Sequence, residues 1–138
     1  NYAVMSSAED LVRVVHLEDI RNRIVAELSY GQQRQLEIAM ALSGAPRLIL
    51  FDEPAAGLSP AERSELIEIL TGLPRHMGYI IIEHDMDVAL RVAESVTMMH
   101  NGRIFKEGKP ADESLKDSFG ISYQDLQILY AQQISKLR

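Results

Sequence analysis

The sequence predicts an α/β fold: a parallel sheet with flanking helices, closed by an antiparallel hairpin. Three observations carry that prediction. Two short apolar runs, residues 48–51 (Leu-Ile-Leu-Phe) and 79–82 (Tyr-Ile-Ile-Ile), each end in acids, Asp52 and Glu53 after the first and Glu83 after the second. Such runs, bounded by turn signals, read as strands buried on both faces, the kind found in parallel sheets. Segments with helical spacing and their own caps stand before, between and after them, and that alternation argues for a layered α/β arrangement. Finally, Asn101-Gly102 between residues 96–100 and 103–106 is a strong hairpin signal.

Each element has a local reason. Ser6-Ser7-Ala8-Glu9 has the capping-box spacing, and Leu11, Val14 and Val15 follow at helical intervals. Ser29-Tyr30-Gly31-Gln32 is a second box, opening a helix through about Leu42. Leu36, Ala39 and Met40 are predicted as its apolar stripe, with Gly44 and Pro46 as stop signals. A strand is expected at 47–52. Ser59-Pro60-Ala61-Glu62 is a third box with proline at the first helical position, and Leu66, Ile69, Leu70 and Leu73 share one face of its helix. A strand at 79–83 and a helix over 86–93 follow. The tail from Pro110 is polar, and a helix is expected over 122–136.

Composition narrows the function. With 138 residues the chain suits one domain with a modest core, and 46% hydrophobic with 25% charged residues is ordinary globular usage, which argues against disorder or a fibrous class. A net charge of −6 without a basic run argues against binding nucleic acid or anionic lipid by electrostatics. The absence of cysteine excludes disulfides and thiolate metal sites. The apolar runs are far too short to span a bilayer. The first ten residues lack a signal-peptide pattern, and a chain opening on Asn1 rather than methionine is expected to be a fragment or a processed form.

Asp52 and Glu53 stand at the carboxyl end of a buried strand, where open α/β sheets bind their ligands. Two adjacent acids there suit a metal–phosphate site. Asp52 would hold Mg²⁺, and Glu53 would polarise a water that attacks a terminal phosphate. The simpler alternative is that both acids cap the loop. His84 follows the second strand as Glu53 follows the first, so neighbouring strands would bring both into one crevice, where a histidine can hold the attacking water in line. The alternative is a satisfied histidine beside the N-cap Asp85. Ser29, Gly31 and Gln32 open a helix whose amides favour an anion, although serine and glutamine in that box can equally serve as caps alone. His16, His76 and His100 are read as structural.

Together these motifs resemble the ATP-binding-cassette (ABC) ATPases, of the P-loop NTPase-like class. Residues 28–32, Leu-Ser-Tyr-Gly-Gln, look like the signature motif of that family, and residues 48–53 like its Walker B strand. Residues 56–59 lie where its D-loop falls, and 82–85 look like its switch-histidine segment. Four motifs in register from about residue 20 to 110 are far more specific than any one. The wording at 28–34, 52–58 and 83–86 resembles the ATPase subunits of branched-chain amino-acid importers. Tyr30 stands where glycine is commoner, Met40 where arginine is usual, and Ser59 where many relatives carry aspartate.

The resemblance implies a partial cassette. Residues 1–45 would belong to the helical signature subdomain, 46–110 to the C-terminal part of the ATPase core, and 111–138 to a helical tail. It implies ATP and Mg²⁺ as cofactors and a second ABC ATPase subunit as partner, in a homo- or heterodimer. Ser29, Gly31 and Gln32, with Ser59 at the D-loop position, would face the partner's nucleotide, whereas Asp52, Glu53 and His84 would serve the chain's own. Transmembrane permease subunits would place the protein on the cytoplasmic face of the inner or plasma membrane, as a peripheral subunit. No Gly-x-x-x-x-Gly-Lys-Ser/Thr occurs in the sequence, and the one Gly-Lys, at 108–109, runs into Pro110. The chain alone is therefore expected neither to bind ATP tightly nor to turn it over. A sheet without the phosphate-loop strand would have an open edge, inviting a second copy. The competing readings are a non-catalytic ABC half acting as an interaction module, and a chromosome-maintenance ATPase. The acidic charge and lack of heptads argue against the last.

Overall fold

The computed structural model describes residues 7–117 and 126–132. Helix α1 (Ala8–Val14) starts one residue later than the Ser6–Glu9 pairing predicted, because Ser7 is the N-cap. Its hydroxyl oxygen accepts the Asp10 N–H at 3.1 Å and its O–H donates to the Asp10 carboxylate at 2.7 Å. Asp10 thus takes the position assigned to Glu9. Two 3₁₀ turns, Glu18–Ile20 and Val25–Glu27, lead to α2 (Tyr30–Ser43), whose capping box is complete. Its buried residues are Gly31, Ile38, Ala39 and Leu42. The predicted stripe is corrected: Ala39 is buried, but Met40 is 67% exposed. Ile38 and Leu42, four apart, define the inner face, and Met40 lies two residues, about 200°, from either.

Helix α3 (Pro60–Thr71) has Ser59 as N-cap, proline in the first turn and a complete capping box. The predicted face holds, with Leu66, Ile69, Leu70 and Leu73 all buried. These three helices fall in one compact unit, Asn1–Arg47 with Gly57–Arg75, and the other, Leu48–Ala56 with His76–Arg138, holds a five-stranded sheet among its described residues.

In the second unit β1 (Leu48–Asp52) and β2 (Gly78–Glu83) pair in parallel, from Leu48 opposite Gly78 to Asp52 opposite Ile82. The apolar run of β1 is buried on one face only, correcting the expectation of two. Ile49 and Phe51 point inward, whereas Leu50 on the alternate face is 70% exposed. The Phe51 and Tyr79 rings meet edge-on with centroids 6.2 Å apart. Tyr79 donates its hydroxyl to the Val92 carbonyl at 2.9 Å, tying α4 (Met86–Val92) to the sheet. Strands β3 (Val96–His100) and β4 (Arg103–Gly108) form the predicted hairpin, with Asn101 and Gly102 both at positive φ (49° and 71°) as its two-residue turn requires.

The tail departs from expectation. After the short α5 (Glu113–Asp117), residues 126–132, expected as helix, form β5 (Leu126–Gln132). The rest of the expected helix, 122–125 and 133–136, lies outside the described residues. β5 runs antiparallel to both β2 and β3, giving the order β1-β2-β5-β3-β4. Two flanking ladders satisfy far more backbone groups than local propensity can outweigh. The edge of β2 away from β1 is thereby covered by the chain itself.

Candidate functional site

Parallel, in-register pairing of β1 and β2 delivers their carboxyl ends side by side. Asp52, the last residue of β1, is exposed there. Glu53 then turns into the left-handed region, with φ of 47°, a conformation that costs a non-glycine residue energy and gathers at functional sites. Its N–H donates to the Ile82 carbonyl at 2.8 Å, continuing the ladder one residue beyond the strand. His84 Nε2 and Glu53 Oε1 lie 2.8 Å apart, the contact of an imidazole N–H donating to a carboxylate. Both side chains are about two-fifths exposed, at 42% and 44%. The structure therefore brings together the two residues that the sequence placed after neighbouring strands.

A third acid holds this arrangement. Glu83 is only 2% exposed, and its two oxygens are divided between the two loops. Oε1 accepts the Ala55 N–H at 2.7 Å, and Oε2 accepts those of His84 and Asp85 at 3.1 and 3.2 Å. Burial pushes its carboxyl above the usual carboxylate range, and the bond from Ala55 is the largest effect opposing that. Glu83 thus clamps the loop carrying Glu53 to the loop carrying His84. Its role was not read from the sequence, although an acid closing a wholly apolar strand was the available signal. Asp85 accepts the Asp87 and Val88 N–H groups and caps α4, as expected.

The Ser29 turn, in the helical unit, has a different chemistry. Ser29 Oγ accepts the Gln32 N–H at 3.2 Å and Gln32 Oε1 accepts the Ser29 N–H at 2.9 Å, so both side chains serve as caps. The Ser29 O–H and the Gly31 N–H both donate to Glu62 Oε1 at 3.2 Å. Glu62 Oε2 meanwhile accepts the Ser59 N–H at 2.9 Å, so Ser59 and Glu62 cap α3. Bonds from Ser59, backbone first, hold the Glu62 carboxyl below the usual range. A concavity of about 290 Å³ opens here, lined by His16, Ser29, Gly31, Gln32, Glu62 and Glu65 among others. His16, read as structural, contacts the Glu65 carboxylate, with Glu68 nearby.

The pattern described as ABC transporter matches residues 3–56. The high-affinity branched-chain amino acid transport ATP-binding protein BraF of Pseudomonas aeruginosa is 34% identical over 83% of this chain and 45% of its own length. The glycine betaine uptake system ATP-binding protein YehX of Escherichia coli is 32% identical over 88% of this chain and 42% of its own. Among solved structures, the ADP conformation of MJ1267, an ATP-binding cassette of an ABC transporter, superposes with a TM-score of 0.71. It is 30% identical and is matched over 83% of this chain and 45% of its own. Over most of its length the chain is similar to ABC transporter ATP-binding proteins, and its fold matches their ATPase cassettes. It spans just under half the length of the curated ABC relatives named here. The matched ABC pattern includes the Ser29 turn, Asp52 and Glu53, and ends before Glu62, Glu83 and His84. Among the described residues no helix is long and apolar enough to cross a membrane.

Proposed function

We propose that this chain supplies the signature and hydrolytic acids of an ATP-driven importer subunit. The observation that carries the reading is the Glu53–His84 pair, held at 2.8 Å at the carboxyl ends of two parallel strands, with Glu53 in a strained backbone conformation. The donor set fits the cofactors: adjacent carboxylates offer the oxygen ligands that Mg²⁺ takes, and the Ser29 turn offers a hydroxyl and an amide to an oxyanion. When bound, Mg-ATP supplies the phosphoryl group whose transfer to water is the chemistry. Asp52 would hold the metal. Glu53 would orient the attacking water and take its proton, and His84 would fix the Glu53 carboxylate in place. Ser29, Gly31 and Gln32, with Ser59 at the D-loop position, would meet the nucleotide of a second ATPase subunit.

The family relatives also support permease partners at a membrane face: one neighbour, cbiO1 of Clostridium perfringens, is described as part of the ABC transporter complex cbiONQ. For the solute we favour branched-chain amino acids, on the wording of residues 28–34 and 52–58 and the resemblance to BraF. Relatives named for glycine betaine and methionine import match comparably, so the solute rests on that wording. A non-catalytic interaction module is the second reading, favoured by the lack of a phosphate-loop motif in this sequence.

A chimera tests the roles, with this chain replacing the matching segment of BraF. Glu53→Gln is expected to lower ATP turnover by about a hundredfold or more while nucleotide binding persists, the scale of a lost general base. Turnover insensitive to Glu53→Gln would contradict the assignment.

A further inference from the structure

The oxyanion seat at the start of α2 already holds an anion, and it belongs to the chain. Glu62 Oε1 accepts both the Ser29 O–H and the Gly31 N–H, while Oε2 caps its own helix through Ser59. One carboxylate therefore satisfies the amino ends of two helices. The fit is close: a Cβ built on Gly31 would lie 2.5 Å from Glu62 Oε1, so glycine is what allows the carboxylate to approach. Two donors on one oxygen, set beside an open concavity, form the geometry a phosphate oxygen would need.

We propose that Glu62 is a tethered competitor for the phosphate seat, occupying Ser29 and Gly31 until an incoming phosphate group displaces it. The inference rests on the reading of Ser29 and Gly31 as phosphate contacts and adds the regulation of that site. Glu62 is a positioning and gating residue, without a part in the chemistry. Two like charges cannot share the seat, so phosphate entry requires the carboxylate to swing out and surrender both bonds. Its bond to Ser59 through the other oxygen gives it a place to rest without unfolding α3. The consequence is a threshold: a phosphate presented weakly fails to open the seat, and one presented on a docked partner succeeds.

The test is a titration of the full chain with inorganic phosphate, followed by the amide resonances of Ser29 and Gly31. Glu62→Gln is the informative variant, because glutamine also completes a capping box and keeps α3 started while removing the charge. The Glu62→Gln chain is expected to bind phosphate at these amides at least about tenfold more tightly than the unaltered chain, a tenfold change being about 1.4 kcal/mol. Unchanged thermal unfolding of the variant shows that the cap survived, and Glu62→Asp, too short to bridge both helices, should also bind more tightly. Equal affinity in all three chains would overturn the gate and leave the phosphate seat standing. Absence of any response at Ser29 and Gly31 in all three would overturn the seat and the gate together.

Discussion

Glu83 divides its oxygens between Ala55 on one loop and His84 and Asp85 on the other, and glutamine cannot reproduce that pattern. An amide accepts on one side only and turns its NH₂ toward a backbone donor on the other. Glu83→Gln is therefore expected to destabilise the chain by about 1–3 kcal/mol, the cost of orphaning a buried group, even though it removes a buried charge. Urea unfolding measures it, and an unchanged midpoint would contradict the clamp. Of the candidate site, the meeting of Glu53 and His84 was legible at this scale. Glu53 and His84 could be paired from sequence because each directly follows a recognisable strand, and parallel neighbours place such positions together. Glu83 and Glu62 were missed for one reason: each already had an adequate local explanation, as a strand end and as a helix cap. A second role for the same carboxylate arises only from residues about 30 positions away, a separation that local patterns do not encode.

Among the elements, those with both a periodic core face and a cap were read well. Helix α3 and the β3–β4 hairpin carry such paired signals and formed within a residue or two of expectation. The stripe of α2 was misplaced because its apolar residues are dense enough to fit more than one face. β5 was misread because its partners are remote: its register is set by β2 and β3, whose ladders it joins over residues 126–132. Removing residues 126–138 would expose ladder edges on both neighbours. The shortened chain is expected to unfold at lower urea and to associate with rising concentration by light scattering. Unaltered stability and a monomeric profile would show that β5 supports neither strand.

At the scale of the whole molecule, the two groups of residues proposed for nucleotide chemistry fall in two compact units. The helical unit holds the Ser29–Gly31 seat, and the sheet unit holds Asp52, Glu53 and His84. The sequence contains no glycine-rich loop with a lysine to cradle the β- and γ-phosphates. Its homology reaches just under half of BraF and of YehX, consistent with a share of a cassette's machinery. The central claim is that these residues act on a nucleotide whose phosphates are gripped by other chain. Titration of the purified 138-residue protein with Mg-ATP in a calorimeter tests this most directly. The account predicts no saturable heat up to millimolar nucleotide. Saturable binding at micromolar concentration would mean that this chain builds a complete phosphate site of its own, and would contradict it.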